Sequence, residues 1–394
     1  MYFSIYNIMP VVWVSMAVAV VAAAWVFYAG VRRASRVAKA AREGASGLPG
    51  DENLPGVTVV VYARDNAADL EEMLPAVLEQ DYPGPWEVLV VNDGKDEGVT
   101  DVVNLFSTRM SGQTGRPPLK ITFIPEEAHN LSRQKLAVSL GVKGARYPYL
   151  VFTSALCRIG SREWLRRMCS HFAEGKEVVI GWAPMRGLES LTDRYDEVAT
   201  ASTWLDAGLR GKPYRGTGYN LAYSRRLFNE AKGFSRSLNL RAGDDDIFVN
   251  QISTPENTAV ELSEQARVEI AAFRPHTRWR HDRLQHAFTA RFLPGGASRL
   301  AGSATLALWL WVAATATGVV FSLPNWMPSV VFGALALGLW IPACRAWSRC
   351  AGALGVRLSG ATLWWPMLWH WWRTLVYRLL CGRPSRNNYT WLQR

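Results

Sequence analysis

Three apolar runs of membrane-spanning length constrain this chain more than any other feature, because about twenty consecutive apolar residues are what a helix needs to cross a bilayer core. They are Pro10 to Gly30, Ser303 to Leu323 and Met327 to Trp347. A cleaved leader would carry its positive charge ahead of a shorter apolar stretch. Here the charge follows instead, as Arg32, Arg33, Arg36, Lys39 and Arg42. Basic flanks stay on the cytoplasmic side, so the first helix is expected to leave the N-terminus outside and to lead into a cytoplasmic middle. Only Pro324, Asn325 and Trp326 separate the second run from the third, which predicts a tight hairpin. Arg345, Arg349 and Arg357 place its ends on that same side. Further on, Leu363 to Leu380 sets Trp364, Trp365, Trp369, Trp371 and Trp372 beside Arg373 and Arg378. Indoles and guanidinium groups both favour headgroup depth, so this segment is expected to lie in the interface as an amphipathic helix.

The formal charge of +11 over 394 residues raises nucleic acid as a partner. Lysines and arginines crowd beside the apolar runs rather than forming one stripe, which fits a lipid bilayer surface and argues against nucleic acid. The five cysteines, Cys157, Cys169, Cys344, Cys350 and Cys381, form no Cys-x-x-Cys pair. Neither a zinc site nor a disulfide framework is suggested, and a reducing compartment is the simplest reading. His276, His281 and His286 recur every five residues, a spacing that does not share a helical face, so no metal site is read there.

Between the apolar ends the period changes. Gly44 to Pro55 has linker composition. Val57 to Tyr62 is then a β-branched run without polar alternation, the pattern of a strand buried on both faces of a parallel sheet. Asp69 to Gln80 has apolar residues at helical spacing, and Trp86 to Asn92 is a second buried strand. The alternation continues through Leu119 to Pro125, a helix around Ser132 to Gly144, and Tyr149 to Thr153. Such repetition predicts a doubly wound α/β domain with a mostly parallel, Rossmann-like sheet, whose ligands sit at the C-terminal strand ends. Neither Gly-x-Gly-x-x-Gly nor a Walker loop occurs, which argues against a dinucleotide dehydrogenase or a P-loop NTPase. The expected division is 1–31 for the first membrane helix, 32–55 for a basic juxtamembrane segment and linker, and 56–290 for the α/β domain. The membrane hairpin takes 303–347, and the interfacial helix and tail take 348–394.

One short stretch stands out within the soluble middle: Gly243, Asp244, Asp245, Asp246, Ile247, Phe248. Three consecutive carboxylates repel one another unless something uses them. A helix N-terminus, whose dipole favours acidic side chains, would account for them locally. A general base for an acceptor hydroxyl would account for them chemically, provided that it lies within hydrogen-bond reach and keeps a free lone pair.

Over roughly residues 55 to 290 the sequence resembles the family 2 glycosyltransferases of GT-A fold, especially bacterial membrane-anchored members. Ala63, Arg64, Asp65 and Asn66 are similar to the family's Ala-Arg-Asn-Glu turn, without its Glu. Val88 to Gly94 resembles the second strand, whose terminal Asp, here Asp93, meets the base of the nucleotide. Asn130 to Arg146 resembles the helix that carries a basic residue toward the diphosphate, with Arg133 at that position and Lys135 nearby. Gly218 to Ala222 resembles the acceptor-side segment. Gly243 to Phe248 resembles the Asp-Asp motif, and its second carboxylate, Asp245, falls at the position of the base, with Asp244 and Asp246 beside it. What the resemblance implies is a nucleotide diphosphate sugar donor such as a UDP-sugar, held by Ala63, Arg64, Asp93, Arg133, Lys135, Ser154 and Arg283. It further implies a lipid-linked or cell-envelope glycan acceptor at the bacterial inner membrane.

Two departures stand beside this likeness. Where the family has Thr-Asp-Ala-Asp, this chain has Thr153, Ser154, Ala155, Leu156 and then Cys157, so both divalent-metal ligands are missing. In the segment that caps the site, Trp279 to His286, Asp282 and Gln285 replace Gln and Arg, while Trp279, Arg283 and His286 are kept. Two readings follow: an inverting transferase without the usual metal, or a non-catalytic relative that serves as a binding or assembly partner.

Overall fold

The computed structural model describes residues 5–44, 50, 53–94, 97–111, 115–125, 128, 132–293, 296–322 and 326–381. The turn expected at Pro324 and Asn325 falls outside them, as do parts of the linker, the start of the segment expected from Asn130 and the tail after Cys381. Helix α1 (Ile5–Val26) runs through a π-helical turn into α2 (Arg32–Glu43). Next come β1 (Val57–Ala63), α3 (Ala67–Leu78), β2 (Trp86–Asn92), α4 (Glu97–Met110), β3 (Leu119–Phe123), α5 (Arg133–Gly144) and β4 (Tyr149–Ser154). They are followed by β5 (Cys157–Ile159), α6 (Trp164–Ala173), β6 (Val178–Ile180), α7 (Leu191–Leu209), β7 (Leu221–Ser224), α8 (Arg225–Glu230) and α9 (Asp246–Ile252). The order ends with β8 (Thr258–Val260), β9 (Val268–Ile270), α10 (Pro275–Thr289), α11 (Gly296–Ser322), α12 (Trp326–Ala353) and α13 (Trp364–Leu380).

Two compact units result. The α/β unit takes Ala40–Leu188 and Ala207–Pro294 together with the stretch from Arg378. Its sheet has seven strands in the order β3-β2-β1-β4-β7-β6-β8. β3, β2, β1 and β4 are parallel, β7 runs antiparallel to both β4 and β6, and β6 is parallel to β8. Val57, Val59 and Val61 of β1 and Val88 and Val90 of β2 bury one face with Leu70, Met73, Leu74 and Val77 of α3 and with Trp164, Leu165 and Met168 of α6. On the other face α5 comes close: a Cβ on Gly141 would lie 2.6 Å from Val60 Cγ1, so glycine sets that approach. Burial on both faces is why these strands lack polar alternation.

The helical unit takes the chain up to Lys39, Glu189–Asp206 and Gly295–Tyr377. Pro10–Glu43, Gly302–Ser322 and Ser329–Ala353 are each long and apolar enough to cross a membrane. Helix α13, 17 residues long, turns Trp364, Trp365, Trp369 and Trp372 outward. Its opposite side is held to α7 by His370, 2.9 Å from the fully buried Asp196, and by an Arg373–Asp193 pair. Arg36 pairs with Asp206 at 2.6 Å in the same unit. These acids on α7 carry no signal in a sequence read for apolar period.

Candidate active site

Parallel register brings three sequence-distant strand ends level. Ala63 lies opposite Asn92, and Tyr62 lies opposite Ser154. The Asp93 amide donates to Ala63 O at 2.8 Å, and the Ala155 amide donates to Tyr62 O at 2.9 Å, so the turns after β1, β2 and β4 form one edge. Asp65 adopts a φ of +49°, and its carboxylate packs where a Cβ on Gly94 would fall, 2.4 Å from Oδ1. Only glycine lets the β2 turn close on the β1 turn there. The Arg64 amide donates to Asn66 Oδ1 at 2.8 Å, and its guanidinium is exposed.

Asp93 is buried at this edge, and its two oxygens are met by the Tyr62 hydroxyl and by Arg133 Nε. Burial and the adjacent Asp93 carboxylate push the Tyr62 phenol far above its ordinary range, so it stays a donor. Tyr62 went unread in the sequence, where it looked like the last member of a β-branched run; an aromatic hydroxyl at the ligand end of such a strand is the signal that was there. Arg133 is therefore paired with Asp93 rather than extending as a free cation. Lys135 differs more sharply from its expected place. Its Nζ donates to Ser237 O, to Ser237 Oγ at 3.1 Å and to Leu240 O at 2.9 Å, which uses all three N–H bonds. Burial lowers its pKa to about 8, against the pull of the acidic triplet. Lys135 ties down the loop before the triplet and has no donor left for a phosphate.

The turn after β4 does not fit a divalent ion. Ser154 Oγ accepts from the Leu156 amide at 3.4 Å, and the buried Cys157 thiol, pushed up to about 11 by burial, donates to Tyr219 O at 3.9 Å. A neutral hydroxyl, an isobutyl group and a protonated thiol do not hold Mg²⁺ or Mn²⁺. Among the described residues no group of three or more His, Cys, Asp and Glu side chains is placed to hold a metal.

The triplet separates into three roles. Asp246, the first residue of α9, is buried against Arg215, with Nη2 to Oδ2 at 3.2 Å, and accepts from the Thr289 hydroxyl of α10. Asp244 is also buried; burial raises its pKa to about 6, with Lys135 acting in the opposite sense. Asp245 caps α9 and is the one member left partly open to solvent. Its Oδ1 accepts from the Asp246 amide at 2.7 Å and its Oδ2 from the Gly218 amide at 3.2 Å. Burial first, then the Asp244 and Asp246 carboxylates, push its pKa well above the carboxylate range. The amides fix Asp245 in one rotamer at the helix terminus, and its neighbours make it more basic.

The acceptor-side segment is anchored by Asn220, whose side chain is saturated by Trp182 O at 3.0 Å, Ala266 O at 2.8 Å and Trp164 Nε1 at 3.0 Å. Next to it, the Tyr219 hydroxyl accepts from Arg278 Nη2, and Arg278 Nε lies 3.2 Å from Asp282 Oδ1. Arg283 and Trp279 are buried in α10. Arg278, Arg215 and Thr289 were missed as sequence candidates, and Tyr219 was read only as part of the segment Gly218 to Ala222.

The model of the family described as Glycosyl transferase family 2 matches residues 57–238. Strand order, site edge and matched span define the class: the α/β unit has the GT-A fold, and residues 57–238 are similar to the family 2 glycosyltransferases. Among solved structures, the mannosyltransferase PcManGT from Pyrobaculum calidifontis, in complex with GDP-Man and Mn²⁺, is 19% identical with a TM-score of 0.51, over 86% of this chain and 98% of that one. TarS of S. aureus is 14% identical with a TM-score of 0.41, over 83% of this chain and 54% of its own. No curated protein matches the chain in sequence.

Proposed function

We propose that this chain is a membrane-bound, inverting glycosyltransferase of family 2 that moves a sugar from a nucleotide diphosphate donor to a hydroxyl of a lipid-linked or cell-envelope glycan, without the usual divalent ion. The observation that carries the reading is Asp245: a carboxylate of raised basicity, fixed by two backbone amides, and partly open to solvent where Asp244 and Asp246 are buried. A base of that kind takes the acceptor proton as the oxygen attacks the anomeric carbon from the face opposite the leaving diphosphate. Asp93, after β2, and Arg133, at the start of α5, supply contacts for the nucleotide, with Ala63, Arg64 and Ser154 along the same edge and Arg283 in the capping helix. The three apolar helices and the basic residues after the first and third support an inner-membrane location with the α/β unit in the cytoplasm.

The test is transfer and donor hydrolysis by the purified full chain against a panel of nucleotide sugars, with chelator and with added Mg²⁺ or Mn²⁺. Turnover is expected in chelator, and Asp245→Asn is expected to lower it by a factor on the order of 10² to 10⁴ with donor affinity nearly unchanged. One observation favours the non-catalytic relative: both Asp93 oxygens already have protein partners. No turnover of any donor together with unaltered nucleotide affinity in Asp93→Ala would decide for that reading.

A further inference from the structure

We propose that Arg278 is the cation that meets the donor's diphosphate in place of the missing divalent ion, an inference that rests on the transferase reading above. Several cations near the site are taken up by partners of their own. Arg133 is bound to Asp93, and Lys135 has spent its three N–H bonds on Ser237 and Leu240. Arg158, in the β5 strand beside the degraded motif, is paired with Asp69 at 2.8 Å and Glu72 at 2.7 Å. Arg283 is buried and has interactions of its own.

Arg278 is placed differently. The Ala271 amide donates to Leu156 O at 2.8 Å, so the chain leaving β9 runs along the turn where the metal ligands would stand. It enters α10 four residues later, and Arg278 lies in the first turns of that helix. Tyr219 completes the placement: its carbonyl receives the Cys157 thiol at 3.9 Å, and the amide of its neighbour Gly218 holds Asp245 at 3.2 Å. Its ring lies 5.7 Å from the Arg278 guanidinium, and its hydroxyl accepts from Nη2. Arg278 thus sits on the side chain of a residue whose backbone lies between the metal-motif turn and Asp245. Its side chain is 36% exposed, and Nη1 has no protein partner among the described residues. A guanidinium stays charged at every working pH and offers phosphate oxygens a fork of donors, which suits it to a charge that a metal would otherwise neutralise.

Asp282, 14% exposed and 3.2 Å from Arg278 Nε, holds the guanidinium in place while there is no donor. It also opposes an incoming diphosphate, so the two residues make opposite predictions. Binding of UDP, GDP, the matching nucleosides and inorganic pyrophosphate to the full chain in detergent, in chelator, reads both. Arg278→Gln is expected to weaken diphosphate binding on the order of 10- to 100-fold and leave nucleoside binding unchanged. Asp282→Asn is expected to tighten diphosphate binding, and it keeps the proposal testable if Arg278→Gln does not fold. Equal diphosphate affinity in the wild type and Arg278→Gln, weaker binding in Asp282→Asn, or wild-type diphosphate binding that requires Mg²⁺ would each overturn the role of Arg278 while leaving the transferase reading intact. A wild-type chain that binds neither nucleotide nor nucleoside would overturn both.

Discussion

Replacing Arg215 by methionine leaves Asp246 as a buried carboxylate without its cation, and the site around Asp245 should loosen with it. The pair is well shielded, with the two side chains 7% and 3% exposed, and Arg215 also donates to His286 O at 3.2 Å and to Thr289 Oγ1 at 3.3 Å. Breaking a buried pair by removing one partner costs about 3–5 kcal/mol, because the remaining charge keeps its desolvation penalty. A domain of roughly 150–250 residues loses about 2–4 °C per kcal/mol, so Arg215→Met should lower Tm by roughly 6 to 20 °C. Asp246→Leu added to Arg215→Met removes the orphaned charge and should recover most of the loss; Thr289 keeps Gln285 O as an acceptor at 3.1 Å. Thermal unfolding followed by tryptophan fluorescence in detergent compares the variants. A single variant within about 2 °C of wild type, or a double variant no better than the single, would refute the reasoning that Asp246 is held for structure.

Three further outcomes follow from the same site. Asp245, held well above the ordinary carboxylate range, must lose its proton before it can act as the base, so kcat/KM should fall with falling pH already above that range. Stability runs the other way: a folded pKa above the unfolded value means that the native state binds more protons, so Asp244 withdraws stability as pH rises from about 4 through about 6. Asp244→Asn should flatten that slope in a melting series; an unchanged slope would remove Asp244 as its source. Asp93→Ala should weaken nucleoside diphosphate binding by calorimetry more than it lowers Tm, and the reverse order would make Asp93 a clasp between Tyr62 and Arg133 and nothing more.

The long parallel half of the fold was legible because burial on both faces writes itself into sequence as uninterrupted β-branched runs. Val57 to Tyr62 and Trp86 to Asn92 coincide with β1 and β2 to within a residue. The other half was not. β6, β8 and β9 have three residues each, too few for any period to register, and β7 is recognisable only through its pairing with β4 and β6. Glu87 shows the same limit inside a legible strand. Charged and fully buried, it is held by Lys120 at 2.7 Å, Thr58 at 2.9 Å and the Arg146 amide at 2.6 Å, partners that no local pattern announces.

At the site, sequence could find the acidic triplet but could not divide it, since three adjacent aspartates differ only in what tertiary structure brings to them. Arg215 and Thr289 claim Asp246, the Gly218 amide claims Asp245, and neither claim has a sequence spacing to betray it. The basic helix was more readable than its first interpretation allowed. Arg133 and Lys135 are two residues apart, and side chains two apart on a helix do not face the same way, so at most one of them could ever have pointed at a diphosphate. Arg133 turns toward Asp93 and Lys135 toward the loop at Ser237 and Leu240, which leaves α5 with no cation for the phosphates. Charge of that size cannot go unmet in a low-dielectric cleft. With the carboxylate pair also gone from the β4 turn, a bound diphosphate would draw its positive charge from other elements that border the same turn, and α10, entered directly after the Ala271–Leu156 contact, is one so placed.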